Sequence, residues 1–322
     1  MSAITTTAAV VLEPASQAFV DATASPPFLY ELTPDEARKV LDDVQAAPID
    51  KLPVDEHWIT VPAGVGDVGV RIVRPAGAEG ALPVILYMHG GGWVLGNAGT
   101  HDRLVRELTC GAGAALAFVE YDRSPEARYP VAIEQGYATA RWIVREGAAH
   151  GLDPERMAIA GDSVGGGMTA AITLMAQERG DVRFVHQSMY YPVTDAAMDT
   201  GSYAQFAEGY FLTAKAMAWF WDCYCPDLDR RSEAFASPLR APDEMLAGLP
   251  PALLIVDEAD VLRDEREAYG ARRRAAGVAV TTVRYDGITH DFMMLNPLSN
   301  TNATRAAVAQ AISVLRDALH GD

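Results

Sequence analysis

Apolar and polar positions divide this chain into a helical beginning and a long stretch where strand-like and helix-like patterns alternate. Residues 1–50 read as helical and peripheral. Within them, Thr33-Pro34-Asp35-Glu36 has the form of an N-cap, a proline at the first helical position and a capping-box acid. Ala37, Val40, Leu41 and Val44 then mark one apolar helical face. From residue 66 the pattern changes. Val68 to Val73 alternates as a half-exposed strand does, and Pro83 to Met88 is a nearly continuous apolar run of the kind a buried strand needs. Similar runs are Leu116 to Tyr121, Met157 to Ala160, Val185 to Tyr191, Ala252 to Val256 and Val278 to Tyr285.

Helical spacing fills the intervals. Ile133, Tyr137, Ala140 and Val144 share a face, and Gly151 can close that helix. Residues 164–177 are apolar on most sides, which predicts a central helix. Arg263 to Ala276 is charged and stops at Gly277, while Val308, Ile312, Leu315 and Leu319 form a closing amphipathic helix. Strands alternating with helices predict an α/β fold, a mostly parallel sheet covered on both faces, with reactive groups at the C-terminal strand ends. Residues 196–235 interrupt the alternation; Thr213 can cap a helix whose Met217, Phe220, Trp221 and Tyr224 share a face. The expected organisation is an N-terminal helical cap segment at 1–50, a first core part at 51–195, a helical cap insertion at 196–235 and a second core part at 236–322.

Composition narrows the function classes. With 26 basic and 43 acidic side chains the net charge is -17, which argues against nucleic acid or an anionic membrane as the main partner. The three cysteines, Cys110, Cys223 and Cys225, lack metal-type spacing and suit reduced thiols. Met1 to Val11 has no basic residue before its apolar stretch, and no run approaches the length of a membrane helix. The expectation is a cytoplasmic protein without a membrane partner.

Candidate chemistry lies at the strand ends. Gly161-Asp162-Ser163-Val164-Gly165 fits G-x-S-x-G between a strand and a helix. A nucleophile there must project from a sharp turn, and glycines two residues to either side remove the side chains that would clash. Ser163 is therefore the candidate nucleophile. His89-Gly90-Gly91-Gly92-Trp93 directly follows the run Pro83 to Met88. Acyl transfer builds charge on a carbonyl oxygen, and a glycine loop offers unobstructed backbone N–H donors to it. The N–H of Val164, after the nucleophile, would add another. No Lys-Ser/Thr follows the glycines, so a phosphate-binding P-loop is excluded. His89, at the strand end, suits a loop anchor better than a base.

Of seven histidines, His290 alone follows a late strand and the turn residues Asp286-Gly287. The acid should lie between Ser163 and His290 in the chain, where Asp257, Glu258, Asp260 and Asp264 follow the run Ala252 to Val256. Asp260 sits in the loop before the helix and can turn inward; Asp257, nearer the strand end, is its main rival.

These motifs, with Tyr121 through Ser124-Pro125-Glu126, Asp260-Val261-Leu262-Arg263-Asp264-Glu265 and Gly287-Ile288-Thr289-His290-Asp291-Phe292, give the chain a resemblance to bacterial hormone-sensitive-lipase-like esterases of the α/β-hydrolase superfamily. The resemblance runs over nearly all of residues 51–322. It implies an α/β-hydrolase fold with a helical cap and hydrolysis of short- to medium-chain acyl esters. It selects Asp260 over Asp257 as the acid, and it places the oxyanion donors at Gly91, Gly92 and Val164. It further implies a small-molecule ester substrate, no cofactor, no metal and, as a common assembly, a homodimer. Two positions depart from the family pattern: Val164 replaces the usual Ala, and Asp291 follows the histidine where Gly is common. Trp93, Tyr191, Phe206, Tyr210 and Phe211 are the candidate pocket aromatics. The same triad would also serve an amidase, formamidase or lactonase. A non-catalytic ligand-binding protein on this scaffold, like the related plant hormone receptors, would lack the histidine that His290 supplies.

Overall fold

The computed structural model describes residues 10–321; residues 1–9 of the expected cap segment, and most of the stretch Met1 to Val11, lie outside them. Eight strands form one sheet: β1 (Val54–Val61), β2 (Val68–Pro75), β3 (Leu82–Met88), β4 (Ala115–Glu120), β5 (Leu152–Asp162), β6 (His186–Tyr190), β7 (Ala252–Ala259) and β8 (Val280–Thr289). Their spatial order is β1-β2-β4-β3-β5-β6-β7-β8. β2 runs antiparallel to both β1 and β4, and every later pairing is parallel. This is the α/β-hydrolase architecture. The strands from β3 to β6 are buried almost throughout, which is why they read as continuous apolar runs rather than alternating ones.

Ten helices accompany the sheet among the described residues. Those used below are α1 (Pro14–Ala22), α2 (Pro34–Gln45), α3 (Asp102–Ala112), α5 (Val164–Arg179), α6 (Gly201–Gln205), α7 (Ala214–Tyr224), α9 (Arg263–Ala275) and α10 (Asn302–His320). The Thr33 capping box forms as its sequence predicts: the Thr33 hydroxyl accepts from the Glu36 N–H, and the Glu36 carboxylate accepts from the Thr33 N–H at 3.0 Å. The Thr213 hydroxyl likewise accepts from Ala216 N–H at 3.1 Å to start α7. α5 runs through the middle of the molecule, buried from Val164 to Ala176.

Among the elements that escaped the pattern are β1 and α3. β1 is an edge strand whose Asp55, Glu56, His57 and Trp58 are all exposed, so nothing in its apolar spacing announces it. α3 did carry a signal, with Leu104, Val105, Leu108 and Ala112 buried on one face. Two side chains of α2 fasten it to the core. Arg38 donates to the Val94 and Ser124 carbonyls at 2.9 and 3.0 Å and pairs with Glu126. Gln45 donates to the Thr100 and Met294 carbonyls at 2.6 and 2.9 Å. Among the described residues the three cysteines are free, and no helix is long and apolar enough to cross a membrane.

Candidate active site

Sheet register brings the motifs to one level. Gly161 on β5 lies opposite Met88 on β3, and Asp162 lies opposite Tyr190 on β6. The glycine loop after β3 and the Ser163 turn after β5 therefore leave neighbouring strands side by side. Ser163 has φ 53° and ψ -123°, a backbone state that L residues rarely hold. It is fixed by its N–H donating to the Tyr190 carbonyl at 2.8 Å and by its carbonyl accepting from Val193 and Gly167 N–H at 3.1 Å each. The flanking glycines have a steric cause: a Cβ on Gly161 would lie 2.6 Å from the Met88 carbonyl oxygen, and one on Gly165 would collide with that same oxygen.

Beneath the turn, Asp162 ties the two loops together. Its carboxylate accepts from the Tyr87 hydroxyl at 2.7 Å and lies 3.2 Å from His101 Nε2. The His89 ring stacks on Tyr121 at 4.1 Å, with Nδ1 2.8 Å from the Gly90 carbonyl oxygen. Full burial, reinforced by the charge of His101, drives the His89 pKa down to about 3, so the ring stays neutral and anchors the loop.

The structure brings Ser163, His290 and Asp260 into one line. Ser163 Oγ is 2.8 Å from His290 Nε2, and His290 Nδ1 is 2.5 Å from Asp260 Oδ2. Asp260 Oδ1 also accepts from the Leu262 N–H at 2.9 Å. Asp257, the rival acid, points instead to Arg266, whose Nη1 donates to it at 2.6 Å. Arg266 is a residue that sequence reasoning missed. It is wholly buried and donates to Asp257, to Asp260 at 2.6 Å, and to the Pro192 carbonyl at 3.0 Å. One signal pointed to it: Arg266 falls in helical phase with the buried Tyr269 and Arg273 on an otherwise charged helix.

The electrostatics follow from this cluster. Burial opposes charge on each carboxyl. Arg266 and His290 nevertheless hold Asp260 far below the usual carboxylate range, while Asp257, buried beside the Asp260 charge, is pushed well above it. His290 is also disfavoured as a cation by burial, yet Asp260 and Asp291 overcome this and lift it to about 9. Asp257, Asp260 and His290 offer ligand atoms within 4.8 Å of one another, the spacing of a metal site. The Arg266 guanidinium already lies between the two carboxylates, so the cation that such a trio calls for is supplied by the chain itself.

Ser163 and His290 open into a cavity of about 320 Å³. Gly91 and Gly92 line it beside Ser163, at φ 102° and 61°. The Gly91 and Gly92 N–H groups have no acceptor among the described residues, and Val164, first in α5, has an N–H that its helix cannot satisfy. Most of the remaining wall is apolar and comes from two distant stretches, with Phe19, Phe28 and Leu41 from the N-terminal side and Phe211, Met217 and Phe220 from the insertion; Asp291 lies in it as well.

Of the five aromatics proposed for the pocket, Phe211 lines the cavity, packed edge-on against Phe19 at 4.9 Å. The other four do not, and each has a packing reason. Trp93 turns away to stack on Tyr224 at 4.1 Å. Tyr191 lies against the His290 ring at 5.3 Å, fully buried. Phe206 is buried beneath the Arg263 guanidinium, and Tyr210 packs edge-on against it at 5.0 Å.

Known proteins resemble this chain in sequence and in fold. The sequence profile described as the alpha/beta hydrolase fold matches residues 85–294. The carboxylic ester hydrolase LipN of Mycobacterium tuberculosis is 37% identical over 279 residues, covering 84% of this chain and 73% of that protein. The ethyl acetate hydrolase of Pseudomonas putida is 33% identical over 277 residues, covering 84% and 86%. Among solved structures, a thermostable esterase from Pseudomonas putida superposes with a TM-score of 0.94 at 46% identity, covering 96% of this chain and 98% of that one.

Proposed function

This chain belongs to the alpha/beta hydrolase fold family, and from that membership we propose that it is a carboxylic ester hydrolase working through Ser163, His290 and Asp260. The observation that carries the reading is the unbroken run of contacts from Ser163 Oγ through the His290 ring to Asp260, at 2.8 and 2.5 Å. Its relatives named as ester hydrolases support the reaction class.

His290 Nε2 takes the Ser163 proton as Oγ attacks the ester carbonyl. The N–H groups of Gly91, Gly92 and Val164 receive the oxyanion, each such donor typically contributing ~3 kcal/mol to the transition state. The alcohol leaves with the proton from His290, and water then releases the acid from the acyl-enzyme by the same route. Asp260 holds the imidazole with Nε2 facing the nucleophile. The cavity is small and mostly apolar, which suits short- to medium-chain acyl groups; residues 10–50 and 196–235 act as the cap that encloses them.

Ser163→Ala tests the reading. Turnover of p-nitrophenyl butyrate should fall by about 10³-fold or more, and a fluorophosphonate probe that labels the wild type should no longer attach. Retained turnover would overturn the assignment. A panel of p-nitrophenyl esters should favour short to medium acyl chains, and rates that keep rising with long chains would overturn the size argument.

A further inference from the structure

The lining of this cavity carries, among the described residues, one carboxylate: Asp291. Its backbone sits in the left-handed region at φ 63°, which turns the side chain back beside the histidine that precedes it. Oδ1 lies 3.3 Å from His290 Nε2, is buried, and has no hydrogen-bond donor in bonding geometry. Ser163 Oγ lies 2.8 Å from the same nitrogen. Two oxygens therefore face the atom that receives the proton in the proposed reaction, and only one of them is needed to supply it. A buried acceptor left without a donor calls for a partner that arrives during function.

We infer that Asp291 is a further catalytic residue, a second carboxylate that holds the charge of the imidazolium formed at His290 Nε2 during acyl transfer. The inference rests on the triad reading above. In the acylation step the Ser163 O–H bond breaks and an N–H bond forms at Nε2. The Oγ electron pair forms the bond to the carbonyl carbon, and the carbonyl π pair moves onto its oxygen. The imidazolium then stands between Asp260 at Nδ1 and Asp291 at Nε2. Asp291 takes no proton; the proton passes from Nε2 to the departing alkoxide.

The charged and titratable groups around this pair come from every neighbouring element. Asp257 belongs to β7, Asp260 to the loop after it, and Arg266 to α9. Asp162 and Ser163 come from the turn after β5, His101 from the start of α3, and Tyr191 from the loop after β6. Arg266 is shared between two carboxylates, and Asp162 is already engaged by His101 and Tyr87. Asp291 is thus the unshared carboxylate at Nε2; burial raises its pKa, and the neighbouring His290 pulls the other way, so the carboxylate is most favoured when the imidazole is charged. The lifted affinity of His290 for its proton agrees with this placement.

Two effects then oppose each other. A second carboxylate makes neutral His290 a stronger base once the proton is gone, and it also delays the loss of that proton as pH rises. The wild-type and Asp291→Asn profiles of kcat/KM against pH should therefore cross. An opposite charge at this range shifts a pKa by about 1–3 units. The acid limb of Asp291→Asn should move to lower pH by that amount, so the variant exceeds the wild type in acid. On the alkaline plateau it should fall below the wild type by about tenfold, through kcat rather than KM. Asn and Gly both tolerate the left-handed backbone, so Asp291→Gly serves as a second variant that keeps the fold.

Neutral p-nitrophenyl butyrate is the substrate for every arm. Crossing profiles in both variants carry the inference. Limbs that coincide with the wild type, or a uniform loss at all pH without displacement, overturn it. Ser163→Ala run alongside separates the two levels: if it stays active the triad reading fails, and if it is inactive while the limbs coincide, only the role of Asp291 fails.

Discussion

Replacing Arg266 by Met tests whether the buried ionic cluster holds the site together or merely occupies it. The guanidinium donates to Asp257 and Asp260 at 2.6 Å each and to the Pro192 carbonyl at 3.0 Å, with no solvent exposure. Methionine fills part of the volume but leaves two buried carboxyls facing each other and one carbonyl without a donor. Removing one partner of a buried ion pair costs about 3–5 kcal/mol, because the remaining charge is stranded. At 322 residues, and ~2.1 cal/mol/K of unfolding entropy per residue, each kcal/mol lowers the melting temperature by roughly 1.5 °C. The expected fall is therefore about 4–8 °C by differential scanning calorimetry. Adding Asp257→Asn should recover part of it, since the carboxyl that most resists charge is then gone. A fall within ~1 °C, or a double variant worse than the single one, would refute the argument that Arg266 balances this pair. Activity should drop as well if Asp260 orients His290 as proposed, because that carboxylate loses its second anchor.

Two further outcomes follow from the same structure. Burial raises the Glu265 carboxyl from an ordinary 4.5 to about 8, against the pull of the Thr194 and Asp195 N–H groups and Arg266. The folded state thus keeps a proton that the unfolded chain sheds above about 4.5, so this group's stability is fully present below that pH and lost as pH rises through 8. Glu265→Gln cannot shed it; its melting temperature should match the wild type near pH 4.5 and exceed it at pH 8, and a gap that fails to widen with pH would sink the claim. Gly92→Ala places a Cβ against the Phe220 ring at a backbone φ of 61°. It should lower kcat by about 10²–10³-fold, and Phe220→Ala in the same chain should restore stability in part; unchanged kcat in the single variant would remove Gly92 from the proposed oxyanion hole.

How much was legible in the sequence depended on whether a residue's role is local. Ser163 and the glycines around it were readable because a sharp turn imposes its own chemistry on consecutive positions. The buried strands were readable because burial on both faces leaves an uninterrupted apolar run. The exposed β1 had no such mark. Arg266 could not be read as a clamp because its partners, Asp257, Asp260 and Pro192, meet it only after β6, β7 and α9 have packed. The choice between Asp257 and Asp260 had the same origin: three residues apart, they differ only in which way the loop turns them. Four of the five candidate pocket aromatics lie off the cavity wall for a related reason. Trp93 and Tyr191 sit next to the right motifs, but adjacency in the chain does not say which side of a strand end a ring will take. The wall residues Phe19 and Phe28 carried no chemical signature at all.

That wall has an evolutionary corollary. The proposed catalytic groups hang from the ends of β3, β5, β7 and β8, whereas the cavity wall proposed to meet the substrate is borrowed from residues 19–44 and from a stretch inserted after β6. Selection can therefore retailor the appetite of such a protein by editing two dispensable-looking ribbons while the reactive centre is inherited untouched. Divergence in taste should accumulate faster than divergence in chemistry.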